Sequence, residues 1–207
     1  MTTKPEDTTL FDAIYTMRGI RKSKPDPVPD DVLKKVLEAA VQAPNGGNYQ
    51  RWRFIVVRSA EGKRKISELA VKAAGIEAGV QGREGVVRTE FQESLLTVPT
   101  IIIVTSLASN MPPAANVGPH GRTFPAVQNL LLAASAYGLG GCITTSFRYA
   151  DAEVKKALGI PDNVDTTTLV PLGYPTGDAP DGRHGLKTRK PIEEVVFDEA
   201  WGTPLVL

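Results

Sequence analysis

Apolar side chains at Val32, Leu33, Val36, Leu37, Ala40 and Val41 recur with the spacing of a helix, and Pro29-Asp30-Asp31 in front of them is a helix-entry signal. The pattern predicts a helix over 29–43 that stops at Ala43-Pro44. Residues 10–17 make a shorter helical stretch before it, and 62–78 and 86–96 read as helices after it. Arg53-Phe54-Ile55-Val56-Val57 reads as a strand. Behind Pro99, Thr100-Ile101-Ile102-Ile103-Val104 is a continuous β-branched run of the kind buried in the middle of a sheet. Val127, Leu130, Leu131 and Ala134 mark a helix over 123–137, expected to be the most buried one, with Gly138-Leu139-Gly140-Gly141 as its stop. Residues 142–147 read as a strand, 151–158 as a short helix ended by Gly159, and 166–172 as a further strand. Helices and strands are thus interspersed, with no internal repeat.

Three stretches lack an apolar period. Asn45-Gly46-Gly47-Asn48 predicts a tight loop, because Gly and Asn tolerate positive φ. Residues 106–122 are rich in Pro, Asn and Gly; a loop that long in a compact domain often serves as a lid, which makes it the candidate substrate loop. Residues 174–190 hold Gly, Pro and charges, cannot build a core of their own and are expected to lie across another surface.

Composition narrows the class. The 207 residues suit one domain, 1–207, and 42% hydrophobic with 23% charged residues is ordinary for a globular protein. A net charge of +1 offers no basic field for a run of phosphates, so nucleic acid is not expected as a partner. Cys142 is the only cysteine, which excludes a disulfide or a Cys-rich metal site within one chain. The apolar stretches at 100–105 and 130–136 fall short of the ~20 residues that span a bilayer, and residues 1–9 carry no apolar signal-peptide core. No membrane partner and a cytoplasmic location are expected.

Taken singly, the chemistry-bearing residues have plain readings. Arg18-Gly19-Ile20-Arg21 ends the first helical stretch, where two guanidinium groups three positions apart reach one side of a helical turn; alone, they are solvated surface arginines. In Lys187-Thr188-Arg189-Lys190, an extended chain would point Lys187 and Arg189 the same way, able to clamp one phosphate, or leave a solvated charge run. The segment from Ala43 to Trp52, with Pro44, Asn45, Gly46, Asn48 and Gln50, sets amides beside a backbone free of side chains, suited to a planar polar ligand. His120 and His184 sit in Gly-rich loops without a catalytic partner and read as solvated; Cys142 reads as a small buried hydrophobe, and Glu193-Glu194 as an exposed helix start. Gly138-Leu139-Gly140-Gly141 precedes a strand instead of opening a helix, so it is not a dinucleotide fingerprint.

In order along the chain, Arg18-Gly19-Ile20-Arg21, the Ala43–Phe54 segment, Gly138-Leu139-Gly140, Pro171-Leu172-Gly173-Tyr174-Pro175 and Arg189-Lys190-Pro191-Ile192-Glu193-Glu194-Val195 resemble the nitroreductase superfamily. The resemblance implies an α+β fold with a mixed β-sheet flanked by helices, in an intertwined homodimer. A long helix would lie at the interface and the C-terminal segment would wrap over the partner. It implies FMN at the interface, with Arg18, Gly19 and Arg21 from one subunit and Pro44, Asn45, Gly46, Asn48 and Gln50 from the other. Lys187 and Arg189 would meet the phosphate, Arg21 the N1 and O2 edge of the ring, and Thr144, Thr145 and Ser146 the region of N5. The chain departs from the family pattern at Gly19, Asn45 and Gly46, where serines are frequent, and at Met17, where a basic residue is common.

The implied activity is NAD(P)H oxidation in a ping-pong cycle. Hydride passes through flavin N5 to a nitroaromatic, a quinone or a similar small electron acceptor, with NADH or NADPH as co-substrate, no metal, and Arg21 as electrostatic support. Specialised members of the superfamily dehalogenate, reduce free flavin or cleave it, and they differ mainly in loops over the flavin, here 79–96 and 106–122. A flavin carrier or sensor with little turnover, and a cofactor-free binding domain, are the readings from other classes.

Overall fold

The computed structural model describes residues 8–83, 89–109, 116–177 and 188–205. Its centre is strand β2 (Thr100–Leu107), buried along almost its whole length. β2 pairs antiparallel with β1 (Trp52–Val57) on one side and with β4 (Val164–Gly173) on the other; β3 (Gly140–Gly141) pairs with the end of β4, giving the order β1-β2-β4-β3. All three strand pairings are antiparallel, and among the described residues one isolated parallel bridge, Gly19 to Gly141, lies beside them outside the strands.

The β-branched run explains the layering. Successive side chains of a strand point to opposite faces, so Ile102 and Val104 enter one core while Ile101 and Ile103 enter another. The first core is closed by Leu33, Val36 and Ala40 of α2 (Asp30–Ala40) and by Val127, Leu130, Leu131 and Ala134 of α5 (Gly118–Ala136). The second is closed by Ile66 and Ala70 of α3 (Ala60–Val80), Leu95 just after α4 (Glu90–Ser94), Phe147, and Val154 of α6 (Asp151–Leu158). Helices therefore cover both faces of the sheet, the α+β arrangement expected. Among the described residues no helix is long and apolar enough to cross a membrane.

Helix α1 (Leu10–Thr16) is started by a capping box in which Thr9 and Asp12 bond each other's backbone N–H. It buries only Ala13 and leaves Leu10, Phe11, Ile14 and Tyr15 exposed.

Three expectations are corrected. The loop expected over 106–122 is shorter: β2 runs on to Leu107 and α5 begins at Gly118. Pro119 sits in the first turn of α5, where a missing N–H costs nothing, and the glycines and prolines hid that turn from the sequence pattern. The strand expected over 142–147 reduces to one bridge between Thr144 and Leu169, followed by a 3-10 turn, Ser146–Ala150. That turn, at three residues per turn, sets Phe147 and Ala150 on one side and into the interior at 1% exposure each. The helix expected over 86–96 is limited to Glu90–Ser94, residues 84–88 lying outside the described set.

Gly141 is needed for close approach, since a Cβ there would lie 2.7 Å from the backbone oxygen of Pro171. Gly141→Ala is predicted to cost about 1–3 kcal/mol, the usual size of overpacking in a tight core. Thermal unfolding of the variant checks it, and an unchanged midpoint would contradict the packing.

Candidate functional site

The residues expected to form one site fall into three groups. The first is built where α1 ends. Met17 leaves the helix at φ −58°, ψ 135°, so Arg18-Gly19-Ile20-Arg21 is extended and not the helical turn expected from the sequence. It docks on the sheet through the Gly19–Gly141 bridge and the Ile20 N–H, which donates to Gly141 O at 2.9 Å. Further on, the Lys24 N–H donates to Tyr174 O at 2.7 Å and Ser23 bridges Pro175. Three of the five sequence motifs are thereby stitched together.

Within this group Ile20 is buried, Arg18 half-buried and Arg21 exposed. Arg18 donates from Nη1 to Met17 O at 2.6 Å, while its buried Nε has no partner among the described residues. An unsatisfied buried donor of this kind costs about 1–3 kcal/mol, so the position suits an acceptor supplied from outside the chain. Cys142, 3% exposed, lies beside Gly19 and Thr144; burial pushes its thiol pKa up, partly offset by the Thr144 hydroxyl and by the Arg21 guanidinium. Thr144 exchanges backbone hydrogen bonds with Leu169, at 3.0 and 2.9 Å, which fixes the half-buried Thr144 and Ser146 and the exposed Thr145 next to the same edge.

The second group is the loop before β1. Gly46–Asn48 forms a 3-10 turn with Gly47 at φ +60°, where a Cβ would meet the Tyr49 ring at 2.6 Å. Asn48 and Gln50 also take the left-handed conformation, φ 52° and 48°, held in part by Asn45 Oδ1, which accepts from the Gln50 N–H at 2.8 Å. Non-glycine residues held there mark a segment over-determined by its surroundings, a frequent property of ligand loops. Buried Trp52, packed with Ala43 and Ala126, anchors the loop.

Pro44, Asn45, Gly46 and Gln50 line one wall of a cavity of about 470 Å³, and Asn116 and Arg122 line the other. Asn48 is not in its lining, nor is any of Arg18, Gly19, Arg21, Thr144, Thr145, Ser146 or Arg189. Arg51 and Arg122 were not singled out from the sequence. Arg122, its side chain 12% exposed, donates from Nε to Ser106 Oγ at 3.0 Å and from Nη1 to Asn116 Oδ1 at 2.6 Å, with Nη2 3.6 Å from Asp165. No local pattern announces it, because two of its three partners, Ser106 and Asp165, come from β2 and β4.

Arg18 and the 44–50 loop lie at opposite ends of the sheet, with Thr144 between them, bonded to Leu169 opposite Ile103 in the middle of β2. Gly141 pairs with Leu172, which faces Thr100 at the start of β2, whereas Arg51 O accepts from the N–H of Leu107 at its end. Seven strand steps separate these ends by roughly 24 Å, further than one mononucleotide reaches.

The third group is only partly described. Lys187 and His184 lie outside the described residues. Arg189 is exposed, on a tail that turns at Ile192–Glu194 as expected and folds back through an Asp198 N–H to Thr203 O bond of 2.9 Å and a ring contact of 4.9 Å between Phe197 and Trp201. Among the described residues the tail's hydrogen bonds close only on the tail, and Trp201 is 92% exposed. Among the described residues no hydrogen bond joins it to Arg18.

His120 is in the first turn of α5 and not in a solvated loop. Its Nε2 is 3.3 Å from Arg148 Nη1 and its ring packs edge-on to Phe124 at 5.1 Å. No group of His, Cys, Asp and Glu among the described residues could hold a metal ion.

Residues 14–174 match the Nitroreductase family, and the chain belongs to that family. An NADH dehydrogenase of Thermus thermophilus is 31% identical over 199 residues, covering 89% of this chain and 93% of its own. An iodotyrosine deiodinase of Nematostella vectensis is 25% identical over 203 residues, 93% of this chain and 76% of that protein. An FMN-dependent nitroreductase of Clostridium difficile shares the fold, with a TM-score of 0.71 at 20% identity over 93% of this chain and 100% of that one.

Burial, and secondarily the Arg148 guanidinium, holds the His120 pKa below its ordinary value. Since the unfolded chain takes up the proton more readily, this histidine favours folding above about pH 6.5 and that contribution is lost as pH falls. NMR titration of the His120 ring is expected to give a midpoint below that of a free histidine; a midpoint at or above it would contradict the packing against Phe124.

Proposed function

We propose that this protein is an FMN-dependent NAD(P)H oxidoreductase acting as a homodimer on small aromatic or quinone acceptors. The observation that carries the reading is Arg18, whose buried, unpartnered Nε sits where three family motifs converge. An anionic phosphate oxygen satisfies that donor. Charge-assisted bonds to guanidinium are also the strong ones.

Arg18, with Lys187 and Arg189 of a tail, would hold the phosphate. Arg21 would lie at the N1 and O2 edge, and Thr144, Thr145 and Ser146 along the ring. The 44–50 loop would approach from the second subunit with the N–H groups of its turn, Gly46 and Gly19 leaving space where other family members carry serine. Bound there, FMN supplies a two-electron carrier between nicotinamide and acceptor. The chain contributes position, a cation beside the developing negative charge, and a cavity that donor and acceptor occupy in turn, which is a ping-pong order.

The separation of Arg18 from the 44–50 loop by the length of β2 supports a site shared between subunits. So do the surfaces left uncovered in one chain: Leu10, Phe11, Ile14 and Tyr15 on α1, and Ile192, Val195 and Trp201 on the tail. Exposed apolar rows of this extent are characteristic of interfaces. A tail that bonds only to itself has its natural support on a partner. A single, buried, free cysteine suits a reducing compartment, and a cytoplasmic location is part of the proposal. The similarity to an iodotyrosine deiodinase favours reductive dehalogenation as the second reading. NAD(P)H oxidation against a nitroaromatic, a quinone and a halogenated phenol separates the two.

Arg18→Ala and Arg189→Ala are each predicted to weaken FMN binding by about 1.5–3 kcal/mol, roughly 10- to 150-fold. Fluorescence titration of FMN measures this, and unchanged affinity in both variants would refute the grip. A chain ending at Pro175 is predicted to lose both dimer and flavin; a dimer that still binds FMN would contradict the role given to the tail.

A further inference from the structure

The cavity between the 44–50 loop and the start of α5 has a sign. Its described lining includes two guanidinium groups, Arg51 and Arg122, and no aspartate or glutamate. Arg122 is neutralised from behind, since its ion-pair partner Asp165 stands outside the lining. Arg51 is not neutralised: one N–H goes to the carbonyl of Ala108, its Cζ lies over the Tyr49 ring 4.9 Å from the centroid, and among the described residues no ion pair involves it. A guanidinium held by a backbone carbonyl keeps further N–H groups for a ligand, and its planar fork matches a carboxylate better than a point charge does.

The remaining walls are suited to a flat ring. Pro44 and Val117 offer apolar surface, Tyr49 a ring face, and Asn45 and Gln50 polar edges, in a volume within the range of small-molecule sites. We infer that the cavity is an acceptor subsite that selects small aromatic compounds bearing a carboxylate, with Arg51 reading the anion and Arg122 shaping the wall. The described wall offers no carboxylate to an ammonium group, so the selection is for an anion and not for a zwitterionic amino acid. The electron source rests on the flavin reading of the adjoining loop; the anion preference does not.

The test compares 4-nitrobenzoate with its neutral isostere 4-nitrobenzamide on the FMN-saturated protein, by calorimetric binding and by kcat/KM. In the reaction each nitro group takes two electrons and two protons, from one NAD(P)H and one solvent proton, to give the nitroso compound and water. The acid is expected to bind at least about tenfold more tightly than the amide, the size of one charge-assisted hydrogen bond. Arg51→Gln should remove that ratio and Arg51→Lys retain part of it, with FMN content and thermal midpoint reporting that each variant is folded. Equal binding of acid and amide, or a ratio unchanged in Arg51→Gln, overturns the inference. A protein that takes up no FMN yet still prefers the acid in calorimetry would sink the flavin reading and leave the subsite standing.

Discussion

Strand β2 buries Ile101 and Ile103 on one face of the sheet and Ile102 and Val104 on the other, all without exposed surface. Each such side chain contributes roughly 1.5–3 kcal/mol when removed from water, and a slip of one residue would exchange the two faces completely. The strand is therefore fixed in register. The candidate site residues are placed along it: Gly141 and Leu172 hold the Arg18 segment at one end, Thr144 bonds Leu169 opposite the middle, and Arg51 and the 44–50 loop stand at the other end.

This frame explains why the chemistry is divided. β2 holds Arg18 and the 44–50 loop apart, which fits the proposal that one ligand draws them from different copies of the chain. The uncovered α1 face and the self-contained tail fit the same division. Burial of Arg18 Nε without a partner among the described residues costs stability, and an acceptor that supplied the missing bond would be favoured.

Much of the fold could be read from local pattern, because β2, α2 and α6 are consistent with propensity and periodicity at once. The failures have physical causes. The turn at Ser146–Ala150 follows from where Phe147 and Ala150 must go, a tertiary demand with no local signature. The first turn of α5 is masked by Gly118, Pro119 and Gly121. Arg18 and Arg21 were recognisable as a motif but not as extended chain, since the helix ends at Thr16 and Met17 turns the chain out of it. Order of motifs announced the family; Arg51 and Arg122 carried no signal of their own because only the fold brings the two to one cavity.

The central claim is that FMN is held jointly by two copies of this chain. Sedimentation velocity of the FMN-loaded protein, followed in the flavin absorption band, tests it most directly. The account predicts that all bound flavin sediments with the dimer, at one FMN per chain. Flavin sedimenting with the monomer, or a dimer that carries none, would contradict it.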